Sequence, residues 1–155
     1  YAETSELIET AAKLERLRSE NFIAYAGSSL ALHHAVIAFT SPERALVMVE
    51  PGYEAAARAA EFIAAPVLRV PLRADGAHDL AAMLGASKTK PTGLFYVCNP
   101  NNPTGSITPR AEIEWLIANK PEGSIVLLDP AGHPGARYRW PTQPEVAADG
   151  CGRGR

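Results

Sequence analysis

Three apolar runs constrain this chain more than any other feature: "ALVMVE" from Ala45, "GLFYVC" from Gly93 and "SIVLLD" from Ser124. A strand with one wet face alternates apolar and polar residues, whereas a strand covered on both faces by helices has no need to. These runs scarcely alternate, and helical patterns stand between them. Leu7, Ile8, Ala11, Leu14 and Leu17 share one face of a first helix, with Thr4 or Ser5 available to cap it. "FIAYAG" reads as a strand and "SLALHHAVIAF" as a helix. After "ALVMVE" come a helix, "YEAAARAAEFIA", and a strand, "PVLRVPL". "HDLAAML" is a short helix before "GLFYVC". Thr108 caps the next helix, Pro109 takes its first position, and "SIVLLD" closes the series. Strand–helix alternation with short links predicts an α/β fold, a mostly parallel sheet with helices on both faces.

At 155 residues the chain is long enough to bury about two-thirds of the surface its unfolded form exposes. The net charge of -2 comes with no basic stripe, and no apolar run approaches the roughly 18 residues of a membrane span. Neither nucleic acid nor a membrane is therefore an expected partner. Cys98 and Cys151 form no CxxC and have no histidine at ligand spacing, which points to inert thiols in a reduced, cytoplasmic setting and to no metal. The opening on Tyr1, with nothing like a signal peptide, reads as that of a fragment or processed product. After Asp129 the periodic pattern stops. The text becomes dense in Pro, Gly and Arg without a lysine, so the domain is expected to cover 1–132. The stretch 133–155 is read as an irregular tail, disordered or foreign to the fold.

In an open parallel sheet, ligands bind outside the carboxyl ends of the strands. Gly27, Ser28 and Ser29 open a helix there. Free N–H groups and the helix dipole suit a phosphate, and a plain N-cap would use the same residues. Tyr53, after the second strand, either lies on an aromatic ligand or packs on the helix it starts. Asp129 ends an apolar run, where a partly desolvated carboxylate seeks a cationic partner or simply forms a turn before Pro130. Neither GxGxxG nor GxxxxGK[ST] occurs. His33 and His34 are adjacent on a helix and diverge, His78 reads as a helix-start residue, and His133 falls in the tail. None is assigned a catalytic role.

"CNPNNPTG", Cys98 to Gly105, carries more turn-formers than a generic loop needs. It resembles the signature loop of fold type I pyridoxal-phosphate enzymes, the class I/II aminotransferases, and in particular their histidinol-phosphate aminotransferase-like members. "AGSS", "EPGY", "VPLRADGAHDL" and the strand ending in Asp129 follow in that family's order, so the likeness covers Tyr1 to Asp129. The resemblance implies pyridoxal 5'-phosphate as cofactor. Gly27, Ser28 and Ser29 would cradle its phosphate, Tyr53 stack on its ring, Asn102 bond its phenolic oxygen and Asp129 pair with its pyridine nitrogen. Pro103 would fix Asn102 in place, with Asn102-Pro103 a candidate cis bond. Tyr1 would match a tyrosine that reaches the partner subunit's phosphate.

The resemblance further implies an amino donor and a 2-oxo acid acceptor as substrates, and a homodimer. Two departures stand out. Asp129-Pro130-Ala131-Gly132 replaces the family's "DEAY", and no lysine follows Lys120 to serve as the Schiff-base lysine. The arginine that binds substrate carboxylate belongs to a further domain. The expectation is a large-domain fragment of an aminotransferase, inactive alone, whose reading frame is lost near Pro130. The alternative is a non-catalytic module that binds pyridoxal phosphate or associates with another subunit.

Overall fold

The computed structural model describes residues 2–130. The expectations for Tyr1, for the residues that replace the family's tyrosine beyond Pro130, for His133 and Cys151, and for the tail 133–155 lie outside the described residues. What is described forms two compact units, 2–24 and 25–130.

The first unit holds α1 (Ala2–Glu15) and a single 3-10 turn, Ser19–Asn21. Thr4 and Ser5 lie inside α1 rather than capping it. Its other end is closed by the chain itself. Arg16 takes a left-handed φ of 55°, and the Leu17 N–H returns to the Ala12 carbonyl at 3.0 Å. "FIAYAG" is not a strand. Phe22 is extended, but no neighbouring strand bonds to residues 22–27, and apolar extended chain becomes a strand only where a ladder partner exists.

The second unit runs α2 (Ser28–Phe39), β1 (Ala45–Glu50), α3 (Ala55–Phe62), β2 (Val67–Pro71), α4 (Leu80–Ala86), β3 (Thr92–Cys98), α5 (Arg110–Asn119) and β4 (Ile125–Asp129). The four strands are all parallel, in the order β2-β1-β3-β4. β1 and β3 are the inner strands and are buried almost throughout, as their unbroken apolar text requires. Leu46 and Met48 of β1 join Leu94 and Tyr96 of β3 in one core with Leu32 and Val36 of α2 and Ala56 and Ala60 of α3. Val47, Phe95, Val97, Met83, Ile113 and Leu116 are buried as well.

The chain steps from β1 outward to β2, then back across β1 to β3 and on to β4. Right-handed crossovers put α3 on one face and α4 and α5 on the other. The packing of α2 on α3, and of α4 on α5, fits that division.

The β1–β3 pairing skips one residue: Ala45 faces Thr92, but Leu46 faces Leu94. Gly93 occupies the gap, and any Cβ there would overlap the carbonyl oxygen of Phe39 at the end of α2. The start of α5 also differs from expectation. Pro109 is the residue before the helix, not its first member, and Thr108 does not cap it. The Thr108 hydroxyl is instead turned inward, onto His78.

Candidate functional site

β1 leads the chain to one side of the sheet and β3 leads it to the other, so a crevice opens between their carboxyl ends. A cavity of about 500 Å³ lies there. It is lined by Ser29 and His33 of α2, Tyr53 and Arg58 from the segment after β1, and Asn102 and Pro103 from the segment after β3. Three residues selected from separate stretches of sequence thus share one concavity. Tyr53 has a partly buried side chain that packs on the core and also lines the cavity. Arg58 donates to Glu54 Oε2 at 3.1 Å.

Gly27 and Ser28 adjoin the cavity instead of lining it. Gly27 precedes α2 with φ 98°, a conformation that side chains other than glycine's rarely adopt, and it has no side chain with which to cap the helix. The first turn of α2 contains no acidic residue, so nothing there opposes an anion. His33 received no role from the sequence. Its place four residues after Ser29, on the same face of the helix, was the available signal.

The polar loop after β3 is a set of braces. Asn99 grips Thr108 twice: its Nδ2 donates to the Thr108 carbonyl at 3.0 Å and its Oδ1 accepts the Thr108 N–H at 2.9 Å. Asn101 donates to the Pro51 carbonyl and to Thr104 Oγ1. Ser106 Oγ bonds the Gly76 carbonyl, tying this loop to the one before α4. Only Asn102 of the three asparagines lines the cavity, and its bond to Pro103 is cis.

Asp129 closes β4, one strand beyond β3, and does not line the cavity. The partner found for it is not a cation. Tyr96 donates its hydroxyl to Asp129 Oδ2 at 2.7 Å, and burial followed by this bond pushes the Tyr96 phenol well above its usual range. Sequence reasoning missed Tyr96, which reads only as one more member of an apolar run. Lys88 and Lys90 precede β3, and Lys120 precedes β4, at the amino ends of the strands. A seven-residue strand spans about 20 Å, so these lysines sit at the opposite edge of the sheet from the cavity.

A parallel α/β sheet with helices on both faces and a cavity at its topological switch point is the doubly wound architecture. The family pattern for aminotransferase class I and II matches residues 2–133, and the chain belongs to that family. It is 36% identical over 121 residues to a histidinol-phosphate aminotransferase of Moorella thermoacetica, covering 78% of this chain and 31% of that protein. It is 37% identical over 113 residues to an aromatic amino acid aminotransferase of Rhodococcus jostii, covering 73% of this chain and 31% of that one. Among solved structures, the histidinol-phosphate aminotransferase of Sinorhizobium meliloti in complex with pyridoxal-5'-phosphate aligns with TM-score 0.77 over 83% of this chain and 35% of that one. At 24% identity that last likeness is one of fold. The chain thus spans about a third of the length of the curated relatives it matches.

Proposed function

We propose that residues 1–132 are part of the large, cofactor-binding domain of a pyridoxal-phosphate-dependent aminotransferase. The convergence of Ser29, Tyr53 and Asn102 on one cavity at the switch point carries the reading. The residues present suit the cofactor's parts. The uncapped N-terminus of α2, with Ser28 and Ser29, offers N–H and hydroxyl donors to a phosphate. The Tyr53 ring supplies a flat apolar face, and the Asn102 amide a donor for a phenolic oxygen. Asp129 stands one strand beyond the residues that line the cavity; one of its carboxylate oxygens accepts from Tyr96, and the other would pair with a protonated ring nitrogen. When bound, pyridoxal phosphate supplies an electron sink for charge developing at the substrate carbon.

The reaction of the whole protein would be amino-group transfer between an amino acid, or an amino-alcohol phosphate, and a 2-oxo acid. The names of its relatives divide between histidinol phosphate and aromatic amino acids, which supports that breadth and no narrower substrate. We place the protein in the cytoplasm as a homodimer. Among the described residues no helix is long and apolar enough to cross a membrane. The 155 residues alone hold the cofactor without a covalent bond: Lys88, Lys90 and Lys120 lie at the wrong edge of the sheet, and Lys13, in α1, falls outside the part of the family pattern where the Schiff-base lysine belongs. They are then inactive by themselves, and subunit association remains the second reading, favoured by the half-exposed apolar strand β4.

Titration of the chain with pyridoxal 5'-phosphate, followed by cofactor absorbance, tests this. We expect weak binding that Asn102→Ala and Asp129→Ala each loosen about five- to tenfold, the worth of roughly one hydrogen bond. Borohydride should leave no cofactor attached at a single lysine. A chain that is folded by circular dichroism but does not bind, or variants that bind like wild type, would sink the proposal.

A further inference from the structure

We infer that Asn101 is a positioning residue, which ties the two lips of the crevice together and so holds Tyr53 opposite Asn102. The inference rests on the cofactor reading above, since Asn101 does not itself line the cavity. Its side chain is 2% exposed, at the root of the loop after β3. Nδ2 donates to the Pro51 carbonyl at 3.1 Å and to Thr104 Oγ1 at 2.9 Å. Pro51 lies two residues before Tyr53, on the far lip, and Asn101 directly precedes Asn102 on the near one. The backbone of Asn101 is pinned as well: its N–H donates to the Ser106 carbonyl at 2.8 Å, and its carbonyl accepts from Gly105 at 2.7 Å. One N–H of the amide therefore reaches across the crevice from a fixed base.

The orientation of the amide follows from its partners. Reversed, Oδ1 would face the Pro51 carbonyl oxygen, two acceptors with no proton between them. As oriented, Oδ1 is buried without a hydrogen-bond partner. An orphaned buried acceptor costs stability, and an apolar side chain of similar size would avoid that cost. The amide is a poor choice for packing and a good one for joining two loops, which favours positioning over core filling.

The test uses the full chain and pyridoxal 5'-phosphate as probe. Asn101→Asp keeps the side chain's size and removes both N–H donors; Asn101→Ala removes the side chain. Each is expected to weaken binding about five- to tenfold. In a Tyr53→Ala background the effect of Asn101→Ala should shrink below about twofold, because the lip no longer carries the ring it was positioning. A structural role alone predicts the full loss in both backgrounds, and that result overturns the inference. Hydrogen exchange supplies a readout without the cofactor: the Gly52, Tyr53 and Glu54 amides should exchange faster in Asn101→Asp, while β1 and β3 keep their protection. Unchanged exchange in that loop overturns the inference too. A folded wild-type chain that binds no pyridoxal phosphate overturns the cofactor reading and this one with it. Wild-type binding with an unaffected Asn101→Asp overturns this one alone.

Discussion

His78 sits just ahead of α4, and none of its surface reaches solvent. Its backbone N–H donates to Thr108 Oγ1 at 3.1 Å, its Nδ1 lies 2.9 Å from the same oxygen, and its Nε2 has no hydrogen-bond partner. Burial pushes the imidazole down from 6.5 to about 4, so it is neutral in the folded chain at neutral pH. The unfolded chain binds a proton at this residue near pH 6.5, the folded chain only near 4. Between those values the unfolded state holds more protons, so stability must fall as pH drops through the window, by up to about 1.4 kcal/mol per pH unit. Urea unfolding at pH 7, 5.5 and 4.5 should show that slope in wild type and a shallower one in His78→Gln, which cannot titrate. Equal slopes would remove His78 as the cause. Nothing local in the sequence announces this residue. Its partner is thirty positions away, as Asp129 is thirty-three from Tyr96, and single-sequence patterns do not report such pairs. Tyr53 and Asn102 were legible because each follows a strand, and the fold class says such places meet; Ser29 was picked out by the helix start it occupies, after a segment misread as a strand.

Elements were the more legible scale. The order of strands and helices from α2 onward follows from the continuous apolar runs and the turn residues between them, with no stated boundary off by more than two residues. The misreadings share a cause. "FIAYAG" has strand composition without a strand beside it, and Thr4, Ser5 and Thr108 have capping chemistry at positions the chain uses otherwise. Composition permits an element; a neighbour decides it. Gly93 makes the point testable. A methyl group there collides with backbone, which cannot yield as a side chain can, so Gly93→Ala should cost about 3 kcal/mol or more through a spoiled β1–β3 register. Gly85, inside α4, has open space where its Cβ would stand. Gly85→Ala should stabilise by about 0.5–1 kcal/mol. Denaturant midpoints of the two variants should therefore move in opposite directions. A tolerated Gly93→Ala would mean that the skipped residue does not set the register.

At the scale of the molecule, β4 stands where its sequence does not suit it. "IVLLD" is as apolar as the inner strands, yet among the described residues it is an edge strand: Ile125 is 37% exposed and Val126, Leu127 and Leu128 are half-buried. Phe62 is 85% exposed, and Trp115 and Ile117 of α5 also face solvent. Among the described residues no strand pairs with the outer edge of β4, and an outer parallel strand with no charge before Asp129 sets its backbone N–H and C=O groups beside apolar surface, the combination that recruits another strand. The chain spans about a third of the length of its relatives, so further chain or a second copy is the natural cover for these residues. In its absence we expect the 155-residue chain to self-associate through this edge. Sedimentation velocity should show a mass average that rises with concentration, and Ile125→Lys, which sets a charge at the start of the edge, should hold the chain monomeric without lowering its melting temperature. Wild type that stays monomeric across the series would show the edge to be protected already. A lysine variant that associates as strongly would move the contact to the exposed faces of α3 and α5.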